Sequence, residues 1–350
     1  MTAKMKKTGS AGRKLNGNNL LLMITILLFV GMYVVGCVMY SGKGFTHLQT
    51  FLNILITNAS LICVATGMTC VMLTGGIDIS VGSLIAMDCM ILADGMANKN
   101  MSAIEVVTIV MVIGVVWGLV QGYLVCYLDI QPFIVTMAGM FFGRGMTAVI
   151  NTNQVSITEK INPIFYKWAN TKIVLPEFLG YMGKKKMIAP FIRPTVIMAI
   201  VVVALIYIVL KYTKFGRVLY AVGGNETSAV MMGLNVKKTK MEAYVLSSAL
   251  CSFGGILYCM NTMKGYVQQA KGLEMDAIAA AVIGGTLLTG GVGNVWGTLV
   301  GVLITGTINA LVMTNGKLLS SWANIMTAAL LCVFILLQAV FAYIKSRRES

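Results

Sequence analysis

Of the 350 residues only twelve are acidic and one is histidine, too few for the clusters of carboxylate and imidazole on which hydrolytic and metal centres are built. No HExxH stretch occurs, which removes the common zinc-hydrolase arrangement. There is also no GxxxxGK followed by Ser or Thr, so the chain lacks the loop that cradles nucleotide phosphates. The eight cysteines form no CxxC pair, have no histidine beside them and all fall inside apolar runs. They read as small buried hydrophobes rather than metal ligands or bridges. These absences leave no catalytic, cofactor-binding or metal site to assign.

What is present is apolar. Hydrophobic residues make up 57% of the chain and charged ones 11%, with a mean hydropathy of +0.83, which lies outside the soluble globular range and points to a bilayer. The formal charge of +15 does not indicate nucleic acid, because the cations lie between apolar segments rather than along one face with interleaved aromatics. Apolar windows of about 20 residues predict ten spans, near 20–40, 51–73, 79–94, 102–127, 131–150, 193–212, 243–263, 276–289, 293–313 and 321–344. The third and eighth are short. The first follows Lys4, Lys6, Lys7, Arg13 and Lys14 but has no small-residue cleavage signature, so it is read as a span rather than a signal peptide.

With the amino terminus inside, those five cations, Lys211, Lys214, Arg217, Lys237, Lys238, Lys240, Lys345, Arg347 and Arg348 all face the cytosol, and short outer loops receive far fewer. That is the direction of the positive-inside rule. The chain then divides into a basic cytosolic stretch 1–19, one transmembrane domain 20–344 and a cytosolic tail 345–350. Within the domain, 151–192 forms an outer insert and 211–242 a cytosolic loop. The insert carries Lys184, Lys185 and Lys186, an exception that long translocated loops tolerate.

Leu73 to Ile85 reads LTGGIDISVGSLI and Leu288 to Val300 reads LTGGVGNVWGTLV. Gly75, Gly76 and Gly82 align with Gly290, Gly291 and Gly297, and Asp78 lies in the first block. Each block interrupts an apolar run, so each is a hinge-like break of the kind that repeats inside transporters; the span count makes the two parallel. Chance similarity between small-residue turns is the alternative. On the second span Asn58, Thr66 and Thr69, and on the ninth Thr298, Thr305 and Asn309, place hydroxyls and amides on helical stripes. Such stripes suit a path for a hydroxyl-rich neutral solute, or equally hydrogen bonds between helices.

Intramembrane charges are few. Arg144 is expected to pair with Asp88 or Asp94 or to snorkel, Asp78 and Asp129 to be solvated at turns, and Glu274 and Asp276 to begin a solvated helix at the outer end of the eighth span.

In the cytosolic loop, Asn225 or Thr227 can cap a short helix through Met232, with Gly223 and Gly224 before it and Gly233 ending it. Glu226, Ser228 and Ala229 fall within it. Val230, Met231 and Met232 would sit on its surface, which suggests the groove of a partner or, alternatively, the lipid headgroups.

The stretches GGIDISVGS, AGMFFGRG, FGRVLYAVGGNETSAVMMGLNV, MDAIAAAVIGGTLLTGGVGNVWGTLVG and LSSW together resemble the permease subunits of bacterial monosaccharide ABC importers of the ribose class, nearest to the galactofuranose type. Departures are Ile79 and Met275, each where leucine is usual, and the lysine run in the insert. The resemblance implies an all-α polytopic permease in the inner membrane with both termini cytosolic. It also implies a second permease, identical or different, and an extracytoplasmic sugar-binding protein. A separate ATP-binding subunit would hold ATP and Mg and dock at Gly223, Gly224, Asn225, Glu226, Thr227, Ser228 and Ala229, with Met231 and Gly233 completing the segment. The competing class is a secondary transporter or channel, for which Asp88 is the only central ionisable candidate.

Overall fold

The computed structural model describes residues 17–182, 187–319 and 321–349. The cations through Lys14 and those from Lys184 to Lys186 lie outside the described residues. Thirteen α-helices run in chain order: α1 (Gly17–Met39), α2 (Leu48–Leu73), α3 (Val81–Ala97), α4 (Ala103–Cys126), α5 (Pro132–Ile150), α6 (Pro163–Asn170), α7 (Pro194–Tyr212), α8 (Lys214–Gly224), α9 (Glu226–Met231), α10 (Val236–Thr262), α11 (Leu273–Ile283), α12 (Val295–Asn315) and α13 (Ser321–Glu349). A helix lies at each of the ten expected spans. Only seven, α1, α2, α4, α5, α7, α10 and α12, are long and apolar enough to cross a membrane among the described residues. The count of ten is therefore not reached by length and composition.

The centre of the bundle is α2, with 89% of its most apolar window buried under α7, α10, α11 and α12. Small residues let the helices approach. Gly114, Gly118 and Gly122, four apart on α4, face α10 so closely that a Cβ at Gly118 would lie 2.6 Å from the Val245 Cα and one at Gly122 3.2 Å from that of Met241. This is the small-xxx-small contact by which membrane helices pack without a hydrophobic drive between them. On α12, Gly301 meets the Ala280 carbonyl of α11 in the same way.

The insert between α5 and α7 holds α6 and five two-residue strands. Its β1 (Val155–Ser156) pairs antiparallel with β6 (Lys264–Gly265), and β2 (Ile173–Val174) with β5 (Phe191–Ile192). Phe165 of α6 is fully buried and α6 packs on α7 and α10. Gln49 of α2 receives the Phe191 N–H on Oε1 at 2.8 Å.

The eighth expected span proves to be a half-helix. At about 1.5 Å per residue α11 is some 16 Å long, half of a hydrocarbon core of about 30 Å. The chain reaches its start by folding inward after α10: Gly265 rests on Cys89 and Met90 in the middle of α3, and Ala270 lies against Gly82 in the first turn of that helix. Left-handed backbone at Met263, Ala270 and Gly272 makes the path possible. The expectation of a solvated outer start is thus corrected for Glu274. It is buried, and its Oε1 accepts the Gly272 N–H at 3.2 Å.

Arg144, about 18 Å into α5 at ~1.5 Å per residue, explains how polar backbone survives at this depth. Its Nη1 donates to the carbonyls of Val267 at 3.1 Å and Gln269 at 2.5 Å. The expected pairing with Asp88 or Asp94 does not occur; Asp94 instead accepts from Asn98, Asn151 and Lys99. A guanidinium that carries several donors can satisfy two carbonyls that lipid cannot.

Candidate functional site

The segment 211–242 builds two helices where the sequence suggests one. Asn225 is the N-cap of α9, its Oδ1 accepting the Ser228 N–H at 2.8 Å, so the cap falls on Asn225 and not on Thr227. Gly233, at φ +74°, ends the helix as expected, with the Leu234 N–H returning to the Ala229 carbonyl at 3.1 Å. The unforeseen element is α8, capped by Thr213 through the Gly216 N–H. Its signal was present: Phe215, Val218, Leu219 and Val222 recur at helical spacing. Val222, Ala229 and Val236 form a small core that joins α8, α9 and the start of α10.

That core faces inward, and α9 leaves Val230, Met231 and Met232 exposed at 58%, 83% and 64%. Lys240 pairs with Glu226 at 2.6 Å and Lys237 with Asp129 at 3.1 Å, so Asp129 sits at an exposed turn as expected. Thr227 and Ser228 are exposed beside them.

Gly223, the penultimate residue of α8, stands where three backbones meet. An added Cβ would collide with the Leu73 carbonyl at the end of α2 and come within 2.5 Å of the Gly291 nitrogen. The Gly291 N–H donates to that same Leu73 carbonyl at 2.9 Å. Gly75, Gly290 and Gly291 all have positive φ, and Gly290 lies against Gly75. Tyr220 of α8 adds a further tie by donating to the Gly293 carbonyl at 2.9 Å. Burial pushes its phenol up to about 12, so it stays a neutral donor at physiological pH. Both glycine blocks and the α8–α9 segment therefore share one junction at one end of the bundle, each block leading from a helix carboxyl end to a helix amino end.

Three of the block glycines make close contacts with neighbouring elements. Gly82 and Gly297 lie in the first turns of α3 and α12 and serve close packing, against Ala270 and Gly284 respectively; Gly76 makes room for the Tyr244 hydroxyl. Asp78, expected to be solvated, is fully buried. Its Oδ1 accepts from the Ser80 N–H at 2.9 Å and hydroxyl at 2.6 Å, and the Ser80 hydroxyl accepts in turn from Trp117 and Gln121 of α4.

The polar stripes divide along the α2–α12 seam. Thr66, Thr69, Thr298 and Thr305 are buried, and toward the junction Thr69 and Thr298 hydrogen-bond across the seam at 2.7 Å. Toward the insert, Asn58 is half-buried and Asn309 exposed. The seam is closed at the junction end, and further along it Gly306 packs on Asn58 and Ile54.

Membrane-length helices, a half-helix at mid-depth and a helix pair tied to two helix breaks define a multi-pass membrane permease. The chain belongs to the family described as branched-chain amino acid transport system / permease component, which matches residues 50–336. It is 39% identical over 334 residues to the inner membrane ABC transporter permease protein YjfF of Escherichia coli K12, covering 95% of this chain and 96% of that one. It is also 32% identical to the fructose import permease protein FruG of Bifidobacterium longum, covering 96% of each. To the ribose import permease protein RbsC of E. coli K12 it is 35% identical over 268 residues, covering 77% of this chain and 79% of that one. No solved structure matches it.

Proposed function

We propose that this chain is the transmembrane subunit of an ATP-driven, binding-protein-dependent importer that brings a monosaccharide into the cytoplasm. The relatives named for ribose and fructose import and the galactofuranose-type motifs support a cargo among pentoses and hexoses. A separate ATP-binding subunit holds ATP and Mg and receives α9, whose exposed valine and methionines fit a partner's groove. A second permease, of the same or a different sequence, completes the path within the inner membrane. A sugar-binding protein rests on the insert, and lipid surrounds α1, α4, α5 and α7. Both termini and the α8–α9 segment are cytosolic, in keeping with the positive charge of that segment.

The observation that carries this reading is the junction at Gly223. Movement of α9 by closing ATPases displaces the backbone at both helix breaks, and the α2–α12 seam opens inward as the Thr69–Thr298 bond parts. The closure at Thr69 and Thr298 fits a state of that cycle in which the inner end of the path is shut.

Asn225→Pro removes the cap, the N–H that bonds the Ala221 carbonyl at 3.1 Å and the extended φ of −159°, which proline cannot adopt. Glu226→Lys sets like charge against Lys240. Each is expected to cut sugar imported per ATP hydrolysed at least tenfold, by analogy with a lost cap of about 1–2 kcal/mol, while the protein still inserts. Unaltered stoichiometry in both variants would count against docking at α9. The broader reading is tested by purification in mild detergent: an ATPase and a second permease should accompany the chain. Solute accumulation by the chain alone in liposomes would overturn it.

A further inference from the structure

At the insert end of the bundle a cavity of about 500 Å³ opens between α2, the start of α7 and the end of α10, lined in part by Asn53, Thr57, Arg193, Tyr258, Asn261 and Thr262. Its size falls within the roughly 300–1,000 Å³ typical of small-molecule sites. Its chemistry is out of place for a lipid-facing surface. Asn53 and Thr57 are exposed on the helix that is otherwise the most buried of the seven long ones, and polar side chains at such a position belong against water or a solute.

The donors and acceptors are held in fixed orientation. The Asn261 Nδ2 donates to the Ile56 carbonyl at 2.7 Å, which turns its Oδ1 to the Arg193 Nη1 at 3.2 Å. The Arg193 Nε is buried and has no partner, so the hydrogen bonding of this guanidinium is incomplete. Gln49 donates to the Asn53 Oδ1 at 2.8 Å and leaves the Asn53 Nδ2 donors for the cavity. The Thr57 hydroxyl donates to the Asn53 carbonyl at 2.9 Å and accepts from the Asn58 Nδ2 at 3.2 Å, which leaves one lone pair as an acceptor. The half-buried Tyr258 ring supplies an aromatic face.

We propose that this cavity is the site at which a neutral monosaccharide first engages the permease; the inference rests on the importer reading above. Amide, guanidinium and hydroxyl groups bind vicinal hydroxyls, and the Tyr258 ring covers the C–H face of a sugar ring. The set lacks a carboxylate, and the one cation is already shared with Asn261, which disfavours both cationic and strongly anionic cargo. The Gln49 bonds to Phe191 link the cavity to the insert, so a protein docked there sits directly above its mouth.

The test uses the importer complex with its ATPase, second permease and binding protein in proteoliposomes. Thr57→Cys is labelled from the insert side with a charged methanethiosulfonate, and the wild-type chain gives the background from Cys332, the cysteine that is exposed. Whichever of D-ribose, D-fructose and D-galactose the wild type imports is expected to slow labelling at least fivefold. Arg193→Gln should lower uptake roughly tenfold, in line with loss of a charged hydrogen bond, and reorder preference among the three sugars, which a merely structural role would not do. Three results overturn the site: no labelling, labelling that the imported sugar does not slow, or unchanged preference in Arg193→Gln. Stronger protection by D-galacturonate overturns the neutral-sugar assignment. If the wild-type complex imports no sugar, the importer reading fails and the site falls with it.

Discussion

Replacing Gly223 with alanine is expected to abolish transport, while the same change one residue later, at Gly224, leaves it near wild type. The contrast follows from what each methyl group would meet. At Gly223 it would enter the Leu73 carbonyl and crowd the Gly291 nitrogen, whereas at Gly224 nothing lies within 4 Å. Overpacking a core of side chains costs about 1–3 kcal/mol because rotamers give way. Here the obstacles are backbone atoms at a helix end and a glycine turn, so α8 must separate from both breaks. Gly224→Ala should if anything stabilise the end of α8, by about 0.5–1 kcal/mol. The measurement is sugar uptake with ATP hydrolysis in the reconstituted complex, together with the Tm in detergent. Wild-type coupling in Gly223→Ala would refute a mechanical role for the junction.

The second large effect is expected at Arg144. Arg144→Leu strips the Val267 and Gln269 carbonyls of the guanidinium that satisfies them. Hydrogen bonds to a charged group contribute about 1.5–3 kcal/mol each, so a loss of about 3–6 kcal/mol is expected. It should appear as a fall in Tm. Arg144→Lys should recover part of the stability. If Arg144→Leu melts like the parent, the guanidinium is not what holds the inward fold of residues 264–272.

The long helices were legible because hydropathy over about 20 residues measures their defining property, and the cap at Asn225 with the stop at Gly233 followed from local chemistry. Depth was not legible. The apolar run near 276–289 gives no sign that the chain reaches α11 from within the bilayer, since that path depends on Arg144 meeting two backbone carbonyls, a contact without sequence signature. For the same reason Asp88 and Asp94 were natural but wrong partners for the arginine. Asp78 was expected to be wet because it lies in a turn, but Ser80, Trp117 and Gln121 surround that turn with donors. The glycine blocks read as breaks from sequence, but their contact with each other and with Gly223 joins residues far apart in the chain and leaves no local signature.

Contacts between side chains can yield by an ångström as rotamers shift, so displacement fades as it passes through them. At Gly223, Leu73 and Gly291 main chain bears on main chain, with no pliant group between. A push on α9 would therefore arrive at α2 and α12 almost undiminished, like force through a linkage without slack, and stiffness at this spot follows from glycine rather than from any bulky residue.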